Sequence, residues 1–194
     1  MSARPFSPVG DGDSGRAFDT LVLAFAADPV ERWLYPEPAR YLACFPAFLA
    51  AFGGRAFAAQ TVWSLGDLAA VALWLPPGTA ADGDAIVAVL LDTVTPARHA
   101  DTLAVLGQMD EAHPRFPHWY LPWLGVDPAC QGRGLGGELM ARCLELVDRD
   151  RLPAYLETPN PRTVPFYERH GFEVTGEARA GECPPVALML RAAR

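Results

Sequence analysis

Seven residues carry the clearest chemistry in this sequence: Gln131, Gly132, Arg133, Gly134, Leu135, Gly136 and Gly137. They follow an apolar run, residues 119–126, and lead into an amphipathic segment, residues 138–147. A glycine-dense turn between a strand and a helix lets backbone N–H groups approach an anion closely. The helix N-terminus adds its partial positive charge there. The stretch therefore predicts a main-chain grip on a phosphate or pyrophosphate.

Three phosphate-binding devices compete for it. A P-loop ends in Gly-Lys-Ser/Thr, but here Gly137 is followed by Glu138, and all 16 basic residues are arginine. Nucleoside triphosphate hydrolysis by that device is excluded. A dinucleotide fold needs G-x-G-x-x-G, and Gly132, Gly134 and Gly137 satisfy the spacing. Glu157 even stands where a ribose-binding acid would be expected. That fingerprint requires the strand to run straight into the first glycine, whereas Asp127, Pro128, Ala129, Cys130 and Gln131 intervene. The chain beyond the loop is also too short for the rest of a doubly wound sheet. The third device is a Q-x-x-G-x-G/A pyrophosphate loop, met by Gln131, Gly134 and Gly136.

The elements that must position this loop can be read from periodicity. Residues 4–9 can form one short strand in a segment rich in Pro, Gly and Ser. Residues 14–27 repeat apolar positions at helix spacing, and Asp28-Pro29 interrupts them. Residues 37–52 form a second helix with a broad aromatic face, kinked or split by Pro46. Trp33, Leu34 and Tyr35 fall in the intervening loop. Residues 58–65 and 68–75 read as a hairpin around Gly66-Asp67. Residues 80–92 are ambiguous and lean to helix, and residues 95–112 are helical. Residues 118–126 form a strand in which Pro122 cannot donate to a ladder, so the strand is bulged or splayed there. A helix over 138–149, a strand over 153–157, a short helix over 163–170 and a terminal hairpin over 172–179 and 186–191 complete the order.

At this point the sequence resembles the GCN5-related N-acetyltransferase (GNAT) family. The likeness rests on the proline-bearing strand before the loop, the loop itself, Asn160, and the block Phe166-Tyr167-Glu168-Arg169-His170-Gly171-Phe172. Ala154-Tyr155-Leu156-Glu157-Thr158, Pro161-Arg162 and Pro165-Phe166 look like the branch containing puromycin N-acetyltransferase. The first half matches chiefly in element order. The resemblance implies an α/β fold forming a single domain over residues 1–194. Its mixed, mostly antiparallel sheet would have about six or seven strands, flanked by helices and splayed at the strand before the loop.

It also implies an acetyl-CoA-dependent N-acetyltransferase that passes acetyl directly to a small-molecule primary amine in a ternary complex. The main chain of residues 131–137 would hold the pyrophosphate. Leu124, Gly125 and Val126 would pair with the pantetheine arm, and an N–H near Leu124 would polarise the acetyl carbonyl. Asn160 would bond the pantetheine or order its turn. Tyr167, a phenol protonated at neutral pH, would donate to the leaving thiolate. Glu157, at a strand end, ranks first as general base and His118 second, with Glu111 and His113 just upstream. Among Trp33, Tyr35, Phe45, Trp74, Trp119 and Trp123, the better candidates for acceptor-pocket walls are Trp123 and the 33–35 segment. A cysteine route through Cys130 lacks a neighbouring histidine to lower its pKa. A CoA-binding sensor without turnover is the alternative from another class.

Composition bounds these readings. The chain has 194 residues, 51% of them hydrophobic, enough for one well-filled core. Net charge is -7, which argues against a nucleic-acid partner. Four scattered cysteines give neither metal spacing nor a disulfide framework. No apolar run is long enough to span a membrane and no leader pattern stands at the start, so a cytoplasmic protein is expected. A homodimer through sheet edges is compatible with the fold.

Overall fold

The computed structural model describes residues 4–194. Its strands are β1 (Phe6–Pro8), β2 (Val62–Leu65), β3 (Ala70–Leu75), β4 (Trp119–Val126), β5 (Ala154–Thr158), β6 (Glu173–Ala178) and β7 (Val186–Arg191). They form one sheet in the order β1-β2-β3-β4-β5-β7-β6. Only β4 and β5 run parallel. The helices are α1 (Ser14–Phe25), α2 (Pro29–Leu34), α3 (Pro38–Gly53), α4 (Arg55–Ala58), α5 (Gly83–Thr93), α6 (Pro96–Ala112), α7 (Leu135–Val147) and α8 (Val164–Arg169). One buried cluster joins α1, α2, α3, α5 and α6 to Val71, Leu73, Leu75, Tyr120, Trp123 and Tyr155. The other joins α7 and Tyr167 to Ala70, Ala72, Trp74, Trp119, Leu121 and Leu156.

Local departures from the periodicity reading have physical causes. The 33–35 segment is not all loop. Asp28 caps α2 by accepting from the N–H groups of Val30 (3.0 Å) and Glu31 (3.4 Å), and Pro29 takes the first helical position. Asp-Pro thus starts a helix as well as ending one. Pro46 lies within an unbroken α3. The carbonyl it leaves unpaired belongs to Leu42, on an exposed turn where water can serve it. Ala58 belongs to α4, so the hairpin strand begins only at Val62. α7 starts at Leu135, which puts Gly136 and Gly137 inside its first turn.

The proline strand is the pivot of the sheet. Leu73 opposes Trp123, but Leu75 opposes Tyr120, so β4 carries one extra residue at Leu121-Pro122. An extra residue inverts the in-out alternation of everything beyond it. Trp119 and Leu121 face the α7 layer. After the bulge Trp123 faces the opposite layer, edge-on to Phe25, Phe45, Phe48 and Phe52 at centroid distances of 5.0–6.0 Å. Gly125 follows on that face. A Cβ there would lie 2.7 Å from Ala24 Cβ and 2.9 Å from Leu21 Cδ2, so α1 crosses the strand at contact distance. On the other edge, β4 pairs with β5 only at Trp119↔Ala154 and Tyr120↔Tyr155. Beyond Tyr120 the two strands part while β5 stays paired to β7 as far as Thr158. The sheet is splayed as the proline predicts.

Candidate active site

The notch opened by the splay continues into a groove of about 1960 Å³. Leu124, Gly125 and Val126 form one wall, and Thr158, Asn160 and Tyr167 the other. Gln131, Gly132, Gly134, Leu135, Gly136 and Gly137 close its end. On its β5 side the backbone of residues 124–126 has no strand partner, so its polar groups can pair with an extended ligand. Gly134 is the N-cap of α7 at φ +78°, a conformation that favours glycine. No side chain caps that terminus, which leaves first-turn N–H groups for an anion. Gln131 Nε2 donates to the Val126 carbonyl (3.1 Å), tying loop to strand. Arg133 does not line the groove; its side chain donates to the Ala129 carbonyl (3.2 Å). Asn160 Oδ1 accepts from Arg162 N–H (3.1 Å) and so orders the turn that forms the wall. Arg162 and Arg169 add positive charge to the groove. Neither was expected to face the groove, because an arginine on a turn or a short helix carries no sign of its direction.

A second cavity lies on the α1–α6 side of the sheet. Its walls are mostly apolar, including Phe25, Phe48, Phe52, Leu90, Met109 and Trp123. Of the aromatic candidates, Trp123 lines it. Trp33, Tyr35, Phe45, Trp74 and Trp119 do not, although Leu34 does. Trp74 and Phe45 are fully buried in the two cores instead. Groove and cavity share Phe25, Leu124, Thr158 and Tyr167. The Tyr167 hydroxyl makes no hydrogen bond within the protein among the described residues. Burial, followed by the charge of Asp28, pushes its pKa well above the usual phenol value, so it holds its proton.

Two carboxylates reach the cavity. Glu157 lies on the same face of β5 as Tyr155 and lines it from the sheet. Its Oε1 lies 3.6 Å from His113 Nδ1. Tyr120 and Tyr155 are both held protonated, first by burial and then by the Glu157 charge, and Tyr155 faces it without closing a hydrogen bond. His118 lines neither cavity. Its Nε2 is 3.0 Å from His113 Nε2, so it reaches Glu157 only through that ring. Cys130 also lines neither cavity.

The second carboxylate, Glu31 on α2, was not singled out by sequence. It is 3% exposed and its Oε2 has no partner among the described residues. Burial, then the neighbouring Asp28 charge, drives its pKa well above the carboxylate range. Asp28 is itself pushed up to about 6 by burial, against the two N–H groups it caps. A glutamate on the apolar side of a short, unrecognised helix was the one available signal.

The sequence model described as the Acetyltransferase (GNAT) family matches residues 32–172. The chain belongs to this family. Its fold is that of the GNAT structures. It is 29% identical over 145 residues to an uncharacterised N-acetyltransferase of Schizosaccharomyces pombe, covering 67% of this chain and 59% of that protein. A mycothiol acetyltransferase of Brachybacterium faecium is 41% identical over 56 residues, 27% of this chain and 17% of that one. The chain thus spans less than two thirds of these relatives. A structure of arylalkylamine N-acetyltransferase 2 from Aedes aegypti superimposes with a TM-score of 0.68 at 14% identity, covering 100% of both chains. One described as a histone acetyltransferase and related acetyltransferase from Corynebacterium glutamicum gives 0.72 at 23% identity, covering 100% of this chain and 98% of that one. No helix among the described residues is long and apolar enough to cross a membrane.

Proposed function

We propose that this chain transfers an acetyl group from acetyl-CoA to the primary amine of a small-molecule acceptor, by direct attack in a ternary complex. The observation that carries the reading is the meeting of groove and cavity at Leu124, Thr158 and Tyr167. A donor lying along residues 124–126, with its pyrophosphate on the main chain of residues 131–137, presents its thioester at that junction. The backbone N–H near Leu124 is the donor to the acetyl carbonyl. Glu157 takes the amine proton, directly or through one water, and Tyr167 protonates the departing thiolate. Asn160 holds the turn beside the pantetheine.

The apolar walls favour an acceptor with a hydrophobic or aromatic body, consistent with the arylalkylamine enzyme among the structural neighbours. Glu31 gives such an acceptor a polar anchor, because an unpartnered carboxyl in an apolar cavity gains from any N–H brought to it. The test is thiol release from acetyl-CoA across a panel of primary amines: arylalkylamines, diamines, amino acids and peptide N-termini. Acceptor-dependent release, strongest with arylalkylamines, is expected. Tight CoA binding with no release from any amine would instead mark a ligand sensor.

A further inference from the structure

Most polar side chains around the apolar cavity are already engaged. Glu157 and Tyr167 belong to the proposed reaction, and Tyr120 faces Glu157. Thr102 Oγ1 donates to the Arg98 carbonyl at 2.8 Å, and Thr158 Oγ1 bonds Thr163 Oγ1 at 2.6 Å. The Cys183 thiol is a weak donor. Trp123 Nε1 has no partner among the described residues, but its indole edge lies against bare backbone: a Cβ on Gly53 would sit 3.1 Å from that nitrogen. Glu31 is left. It lines the cavity from the helix layer, is 3% exposed, and its Oε2 has no partner among the described residues. The terminal torsion of a glutamate is soft, so either oxygen can turn toward a guest.

Stability gives no reason for a carboxyl here, since a buried polar group without a partner costs free energy. Its place in the fold supplies one. Asp28, the cap of α2, lines the groove, whereas Glu31, three residues on, lines the cavity. Three residues of helix rise about 4.5 Å. Glu31 therefore stands back from the junction that Tyr167 occupies. An acceptor with its reacting amine at the junction brings its far end to Glu31 across the apolar walls. We infer that the acceptor is bifunctional, an apolar body with the reacting amine at one end and a neutral hydrogen-bond donor, a hydroxyl or an N–H, at the other, and that Glu31 selects it by that donor. The inference deepens the proposed amine acetylation and rests on it.

The surroundings favour a neutral donor over a second cation. No arginine or histidine lines the cavity among the described residues. Burial first, and then the Asp28 charge, keeps the Glu31 carboxyl uncharged. A cationic tail would have to shed its water in the same apolar chamber, a cost that pairing with a buried carboxylate barely recovers. A hydroxyl or neutral N–H meets the uncharged carboxyl at no such cost.

The test compares 2-(4-hydroxyphenyl)ethylamine with 2-(4-methylphenyl)ethylamine, which set a hydroxyl against a methyl of nearly the same size. The 3-substituted pair samples the other ring position. Calorimetric binding to the full chain needs no turnover. In at least one pair the hydroxy compound should bind about tenfold tighter than its methyl partner, and kcat/KM for acetylation should show the same preference. Glu31→Gln keeps a neutral acceptor oxygen and should retain the preference, whereas Glu31→Leu should reverse it. Melting curves establish that both variants fold. Equal affinities within both pairs, or a preference that persists in Glu31→Leu, would overturn the inference. A preference lost in Glu31→Gln would mean that charge is recognised, and would overturn the neutral donor. A preference seen in binding while no amine releases thiol leaves the donor site standing and refutes the acetylation reading. Thiol release without any preference does the opposite.

Discussion

Tyr167→Phe isolates one hydroxyl at the junction of groove and cavity. That hydroxyl makes no hydrogen bond among the described residues, so its loss should change stability by no more than about 0.5 kcal/mol. The ring itself, 8% exposed, keeps its packing against Phe166 and Phe172. Activity should respond differently. General acids contribute about 10²–10⁴-fold. Two features put Tyr167 at the low end. Its pKa is raised by burial and by Asp28, which makes it a weaker acid. The thiolate it serves belongs to a thiol of pKa about 8.5, already a fair leaving group. The expected loss is about 100-fold in kcat, or about 2.7 kcal/mol of transition-state stabilisation, with the KM for acetyl-CoA little changed. Because the phenol stays protonated, no alkaline limb from Tyr167 should appear in the pH–rate profile of the wild type. Stopped-time thiol release on both proteins measures the difference. A variant within twofold of wild type would remove Tyr167 from the chemistry.

Other perturbations probe the scaffold and the loop. Gly125→Ala places a methyl group 2.7 Å from Ala24 Cβ, so it should destabilise the fold by about 1–3 kcal/mol and displace α1, read by chemical denaturation. Gly134→Ala meets no neighbour but must hold φ +78°, costing about 1–2 kcal/mol. Acetyl-CoA affinity measured by calorimetry should weaken several-fold while kcat stays near wild type. The raised pKa values of Asp28 and Glu31 mean that their stability contribution is present at low pH and lost as pH rises through the folded-state values, from 3.8 toward about 6 for Asp28 and beyond the carboxylate range for Glu31. Glu31→Gln should therefore stabilise by about 1–2 kcal/mol at pH 8, with the advantage vanishing near pH 4, followed by thermal melts. A variant less stable than wild type at pH 8 would mean the carboxylate is satisfied there.

The groove was legible because backbone geometry leaves marks in sequence. A helix entry at φ +78° calls for glycine and a strand that opens is marked by proline, and both are local. Gly134 and Pro122 therefore announce the groove before any fold is known. The second cavity is assembled from side chains distant in sequence, and a buried Glu31 or a Phe52 looks like any other helix residue. Asp28-Pro29 reads equally as a stop and as a capped start, so α2 and its glutamate stayed hidden. His113 and His118 lie five residues apart on an irregular connection, and only the folded chain sets their rings against each other and Glu157. The phase inversion at Leu121-Pro122 explains a further gap. Simple alternation along β4 puts Trp123 on the same side as Trp119, and only the bulge turns it into the cavity below α1 and α3.

In the proposed reaction, donor and acceptor meet where groove and cavity share Leu124, Thr158 and Tyr167. A crystal structure of the protein with CoA tests it most directly. The proposed reaction requires a pyrophosphate bonded to main-chain N–H groups within residues 131–137, a pantetheine arm along residues 124–126, and the thiol sulfur about 3–3.5 Å from the Tyr167 hydroxyl. A pyrophosphate bound elsewhere, or a thiol directed away from Tyr167 and the cavity, would contradict it.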